Sequence, residues 1–144
     1  MTMTVIIVIL PYDGYRISFT SINSHPMLGT QYFDILLDKE SFKKDIMAAR
    51  TVAFTSELEM LRKMGLGLGG SLENVVVFDD EKNSFRFRVF DDELIRHKIL
   101  DAIGDFVLLG PIKALLLPRK PDYAFNSQIA KQIQGLTEQR GSNK

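Results

Sequence analysis

The stretch from Asp91 to Phe106 constrains this chain more than any other. Its apolar residues Ile95, Ile99, Leu100, Ala102, Ile103 and Phe106, with Val107 behind them, fall on one broad face at helical spacing. A helix of about four turns with such a face is core-facing and needs a second layer to receive it. Its other side carries groups with chemistry. His97 and Asp101 stand four residues apart and so project from the same side of the helix. Asp105 continues that stripe one turn on, and Lys98 borders it. An imidazole and a carboxylate one turn apart can share a divalent metal, and these ligand types suit zinc. The same residues also fit the solvated face that any surface helix presents, and spacing alone leaves both readings open.

At 144 residues the chain fits one domain with a real core. It has no cysteine, which removes disulfides and thiolate metal sites together and leaves only histidine and carboxylate ligands. Eighteen basic and eighteen acidic residues cancel, so no electrostatic footprint for nucleic acid is present. The run Val5 to Leu10 is apolar but far shorter than the roughly 20 residues that span a bilayer. No basic segment precedes it, so neither a transmembrane span nor a signal peptide is expected, and the cytoplasm is the default location. Closed by Pro11, this β-branched run reads as a buried strand.

Pro11-Tyr12-Asp13-Gly14 is a turn by composition, and Tyr15 to Ile22 alternates as a half-buried strand hairpinned to the first. Asn23 to Pro26 breaks the pattern, placing His25 in a loop, and Thr30 to Leu37 gives a third strand. Asp38 can cap a helix from about Lys39 to Ala49. After a short apolar run to Phe54, a helix is expected over Thr55 to Met64, then a glycine loop from Gly65 to Ser71 and a strand from Asn74 to Phe78. Gly65, Gly67 and Gly70 satisfy G-x-G-x-x-G, but a helix precedes them and a strand follows, the reverse of a dinucleotide site. Asp79 to Ser84 is a charged turn with a return strand over Phe85 to Phe90. Beyond the central helix, Gly110-Pro111 is a stop signal. Ile112 to Leu117 is expected to be a strand, Pro118 to Asp122 a turn, and Tyr123 to Leu136 a last helix, with 137–144 a frayed tail. The predicted class is α+β: one sandwich domain over 1–136, helices on one face of a mostly antiparallel sheet, and a small helix-strand insert at about 51–78.

Three segments together resemble one family. Ala49-Arg50-Thr51, Gly65 to Asn74 (GLGLGGSLEN) and Arg96 to Asp105 (RHKILDAIGD) are similar to the second half of UDP-3-O-acyl-N-acetylglucosamine deacetylase, a zinc amidase of bacterial lipid A synthesis. The resemblance covers about Pro11 to Asn126. It implies that His97 and Asp101 are two of three zinc ligands, and that Thr51 helps hold the oxyanion of the attacked amide. It implies further that Lys98 faces the anionic head of the substrate and that Asp105 orients a catalytic histidine. The segment Phe54 to Val77, with Leu58, Gly67, Gly70, Ser71, Leu72 and Val77, resembles an insert that forms a passage for the fatty acyl chain. The implied ligand is a UDP-linked acyl-glucosamine.

Two positions depart from the family pattern. Tyr123 stands where the late catalytic histidine belongs, and Val52 where a phenylalanine usually follows the threonine. The resemblance places the third zinc ligand and a general-base glutamate in a first domain of similar size, outside this sequence. The expectations are therefore a weak, incomplete zinc site, no deacetylase activity from this chain alone, and a need for the first domain. An apolar patch flanking His97 and Thr51 would receive that domain or a second copy. The competing expectation is an inactive remnant that binds an acyl-sugar nucleotide or a partner protein.

Overall fold

The structure is a computed structural model that describes residues 6–26, 28–66, 69–71, 73–78, 89–107 and 110–121. The turn expected at 79–84, the return strand expected at 85–90 except for its last two residues, the last helix, Tyr123 and the 137–144 tail lie outside the described residues. Six strands and three helical segments are present among those described. They are β1 (Ile6–Pro11), β2 (Tyr15–Ile22), β3 (Thr30–Leu36), α1 (Lys39–Ser41), β4 (Thr51–Phe54), α2 (Thr55–Lys63), β5 (Val75–Phe78), α3 (Glu93–Phe106) and β6 (Ala114–Pro121), with a π turn over Phe42–Ile46 continuing α1. The fold is α+β, as the alternation and periodicity imply.

The main sheet has the order β1-β6-β2-β3. β2 pairs antiparallel with β3 and parallel with β6, and β6 pairs antiparallel with β1. The expected β1–β2 hairpin is therefore absent, because β6 lies between the two strands. The Ala114 N–H donates to the Gly14 carbonyl at 2.9 Å, so the start of β6 docks in the Pro11–Gly14 turn. β6 also runs through Pro118 to Pro121, where a turn was expected. Its pairing with β2 joins Ile17 to Leu116 and resumes at Thr20 with Arg119, leaving Leu117 and Pro118 outside the ladder. A proline has no N–H to give there, and the gap accommodates it.

Ile17, Phe19, Ile35, Ala114 and Leu116 project from one face of this sheet onto Ile95, Ile99, Ala102 and Phe106 of α3 and Ile46 of the π turn. The opposite face is polar over β2 and β3, with Arg16 paired to Asp34 and Ser18 to Tyr32. β1 is not the buried strand its composition implies. As an edge strand with only β6 beside it, it leaves Ile6, Val8, Ile9 and Leu10 exposed.

Gly14 has φ 142°, and a Cβ there would meet Leu36 Cδ1 at 3.3 Å. Gly14→Ala is expected to destabilise the fold by about 1–3 kcal/mol through that backbone strain, read as a fall in thermal midpoint.

β4, α2 and β5 form the predicted insert. The two strands pair in parallel as a separate sheet, joined by α2 as the crossover that parallel strands require. A second small core of Leu28, Val76 and Phe78, with Val52, Phe54 and Leu94, ties this insert to α3 and the 23–29 loop. His25 sits in that loop, its ring 5.2 Å from Phe54 and 5.6 Å from Phe78. It serves as packing between the loop and the insert.

Candidate functional site

The site is built where the end of the first helical segment meets α3. Asp38 caps α1 as expected, its carboxylate accepting from the Ser41 N–H at 2.7 Å. The helix then widens, with the Met47 N–H donating to the Phe42 carbonyl at 2.9 Å, and ends well before Ala49. Ala49 N–H turns back to the Ile46 carbonyl, which leaves the Asp45 carbonyl to accept Arg96 Nη1 at 2.9 Å. Arg96 is held firmly. Its guanidinium lies 4.1 Å from the Phe33 ring centroid and 4.3 Å from that of Phe90, and it pairs with Asp92.

Ala49-Arg50-Thr51 leads from this turn into β4, and α3 packs against β4. Glu93, in the first turn of α3, is 1% exposed. It accepts the Arg50 backbone N–H at 3.0 Å, Arg50 Nε at 2.8 Å and Nη2 at 3.2 Å, and the Val89 N–H at 2.8 Å. One turn on, His97 Nδ1 lies 3.2 Å from the Ala49 carbonyl. A carbonyl can only accept, so this contact is a hydrogen bond in the forms that carry a proton on Nδ1. The other ring nitrogen, Nε2, faces Asp101 Oδ1 at 3.5 Å. Two ligands of one tetrahedral ion stand about this far apart.

The α3 stripe read from the sequence thus brings His97 and Asp101 together, half-exposed and exposed respectively, and sets Asp105 and Lys98, both half-buried, on the same helix. Thr51 is exposed at the start of β4. Among the described residues no third histidine or carboxylate joins the pair to make a three-ligand cluster. The donor set suits zinc as part of a site, with the second ring nitrogen already anchored, as ligating histidines ordinarily are. The sequence reading passed over Glu93, Arg96 and the Ala49 carbonyl. Glu93 reads as one more acid in Asp91-Asp92-Glu93, and only its spacing of four from His97 hints at a shared face.

The insert holds a cleft of its own, about 120 Å³, lined by Leu58, Leu61, Arg62, Leu66, Gly70, Ser71, Val75 and Val77. It draws together four residues singled out from the sequence: Leu58, Gly70, Ser71 and Val77. Gly67 and Leu72 lie outside the described residues. Arg62, at the end of α2, is the charged group of its lining.

A tethered histidine and a carboxylate on one helix are ligand types that zinc sites use. The profile of the family described as UDP-3-O-acyl N-acetylglycosamine deacetylase (LpxC) matches residues 2–135. The chain belongs to that family. It is 40% identical over 126 residues to the UDP-3-O-acyl-N-acetylglucosamine deacetylase of Anaeromyxobacter dehalogenans, covering 85% of this chain and 41% of the relative. It is 43% identical over 126 residues to the enzyme of the same name from Oleidesulfovibrio alaskensis, with the same coverage. The chain therefore spans about two fifths of the length of these relatives. Among the described residues, no helix is long and apolar enough to cross a membrane.

Proposed function

We propose that this chain is the second part of a zinc-dependent deacetylase acting on a UDP-linked acyl-glucosamine in lipid A biosynthesis. It would be a single domain over 1–136 with an insert at 51–78 and a tail at 137–144, working in the cytoplasm with a first domain that completes the site. The observation that carries this reading is the His97 Nε2–Asp101 Oδ1 approach of 3.5 Å, with Nδ1 tied to the Ala49 carbonyl.

His97 and Asp101 would hold the zinc. When bound, the metal supplies a water of lowered pKa and polarises the amide carbonyl. The chain's own residues do the rest. The Thr51 hydroxyl donates toward the oxygen that gains charge as the amide is attacked. Lys98 meets the anionic head of the substrate, and the insert cleft takes part of the acyl chain against Leu58 and Val77. By the resemblance of their sequence positions, Asp105 and Tyr123 take the proton-transfer roles. Tyr123 is a poorer shuttle at neutral pH than the histidine it replaces, since an ordinary phenol titrates near 10. That replacement favours a second reading, a catalytically inactive module that keeps acyl-sugar nucleotide or partner binding.

Zinc titration of the chain, alone and with a separately produced first domain from a relative, tests the proposal. The chain alone should bind zinc weakly and show no turnover of the UDP-linked acyl-sugar. His97→Ala or Asp101→Ala should weaken zinc binding at least about tenfold. Adding the first domain should restore turnover. Substrate binding with no turnover in the complemented protein would favour the inactive module. Zinc binding unchanged in both variants would defeat the metal site.

A further inference from the structure

β1 ends the main sheet, and among the described residues β6 is its one neighbour. In an antiparallel pair every second residue turns its N–H and C=O away from the partner, so the outer side of β1 offers a row of backbone groups for another strand. Its side chains are uncovered as well, on both faces of the sheet. Ile6, Val8 and Leu10 stand opposite Arg119, Leu117 and Leu115, on the face turned away from α3. Ile9 stands opposite Leu116, on the face that α3 packs against, but α3 lies over β2 and β3. These four apolar side chains are 41% to 49% exposed. A contiguous apolar strip of this kind, on the order of 300 Å², has the size that marks a contact surface on a single chain.

We infer that β1 is a self-association edge: two copies of the chain pair their β1 strands antiparallel about a two-fold axis and continue the sheet from one copy into the next. Charge and symmetry select a second copy as the occupant. Ile6 to Pro11 carries no charge, so the strand meets no like charge in its own sequence, whereas the other edge strand, β3, carries Asp34. The whole chain has a formal net charge of zero, so no long-range repulsion keeps copies apart. The strip is also self-complementary. An axis normal to the sheet at Val8 sets Val8 opposite its own copy, Ile6 opposite Leu10 and Ile7 opposite Ile9, each on a matching face. Main-chain hydrogen bonds then add to the apolar contact, as in other strand additions. Two such strips bury on the order of 600 Å², below the roughly 1,200 Å² of a stable interface, so the dimer is weak and concentration-dependent. Nothing in this pairing depends on a metal at His97.

Sedimentation velocity of the full chain from about 1 µM to about 1 mM tests this. The wild type should shift from one chain to two as concentration rises, with no larger species, because two-fold pairing closes on the one β1 edge of each copy. Val8→Lys sets two ammonium groups against each other at the axis and should weaken association at least about tenfold, and Val8→Glu should do the same. Mixing the two variants should restore association, since opposite charges then meet across the axis, a rescue that misfolding does not produce. Met60→Ala, which removes an exposed apolar side chain on the insert, should leave association unchanged. If a charged variant loses its thermal midpoint, Val8→Thr keeps a β-branched residue and should weaken pairing about threefold. A single-chain species across the whole range overturns the proposal. So do association left intact by both charged variants, a mixture of them that stays monomeric, and growth beyond two chains. Binding of a separately produced first domain that Val8→Lys abolishes would assign β1 to that domain instead and overturn it equally.

Discussion

Glu93→Ala is expected to lower the unfolding free energy by about 3–5 kcal/mol, the cost of breaking a buried ion pair from one side. The variant removes the carboxylate to which the Arg50 guanidinium and two backbone N–H groups, those of Arg50 and Val89, donate. Urea denaturation at pH 7 measures this, and a loss below about 1 kcal/mol would show that water replaces the carboxylate at little cost. The same pair predicts acid sensitivity. Burial by itself would push the Glu93 carboxyl up, but hydrogen bonds from the Arg50 side chain and from the Arg50 and Val89 backbones outweigh it and hold its pKa below the ordinary glutamate value. Asp34 is held down as well, chiefly by its hydrogen bond from Arg16. A carboxyl whose folded pKa lies below its unfolded value contributes stability that is full above the unfolded pKa and lost as pH falls through the folded one. Wild-type stability should therefore decline as pH drops below about 4–5, and Glu93→Gln should decline less steeply over that window.

Phe106→Ala should cost about 3–5 kcal/mol, through lost transfer energy and the cavity left behind. Phe106 is 1% exposed, the last inward residue of α3, and packs in the cluster that joins this helix to Ile17, Phe19 and Leu116 of the sheet. Its neighbour Val107, 65% exposed, offers the contrast. Val107→Ala should change stability by no more than about 0.5 kcal/mol. Chemical denaturation of both variants reads the difference, and equal effects would place the helix in the wrong rotation. Because His97 and Asp101 lie on the same rigid helix, loosening its C-terminal end is also expected to weaken zinc binding in Phe106→Ala.

The two effects act on different links of one chain of causes. Phe106 fixes α3 against the sheet. Glu93 and His97 then fix the Ala49–Arg50 peptide against α3, and Arg96 does the same for the Asp45 carbonyl. Residues at three positions of one helical stripe thus set where Thr51 begins β4. The insert, paired as its own small sheet, meets this scaffold through Leu28, Val52, Phe54 and Leu94.

What the sequence determined by itself is what is written in short-range spacing. The rotation of α3, the Asp38 cap, the β3 strand and the approach of His97 to Asp101 all follow from periods of two or 3.6 residues and from one capping side chain. The family motifs around Thr51 and His97 are equally local. The tertiary structure alone decided the rest. β6 separates β1 from β2 and carries Pro118 within a strand, because strand order depends on contacts between residues about a hundred positions apart. It also left β1 at an edge, exposed despite its apolar composition. Glu93 looks in the sequence like a solvated first-turn acid. Its burial against Arg50, 43 residues away, and the tie between His97 and Ala49, 48 residues apart, exist only once α3 has docked. Helical periodicity says which way a side chain points. It does not say which distant peptide will be waiting there, and at this site that peptide meets the imidazole.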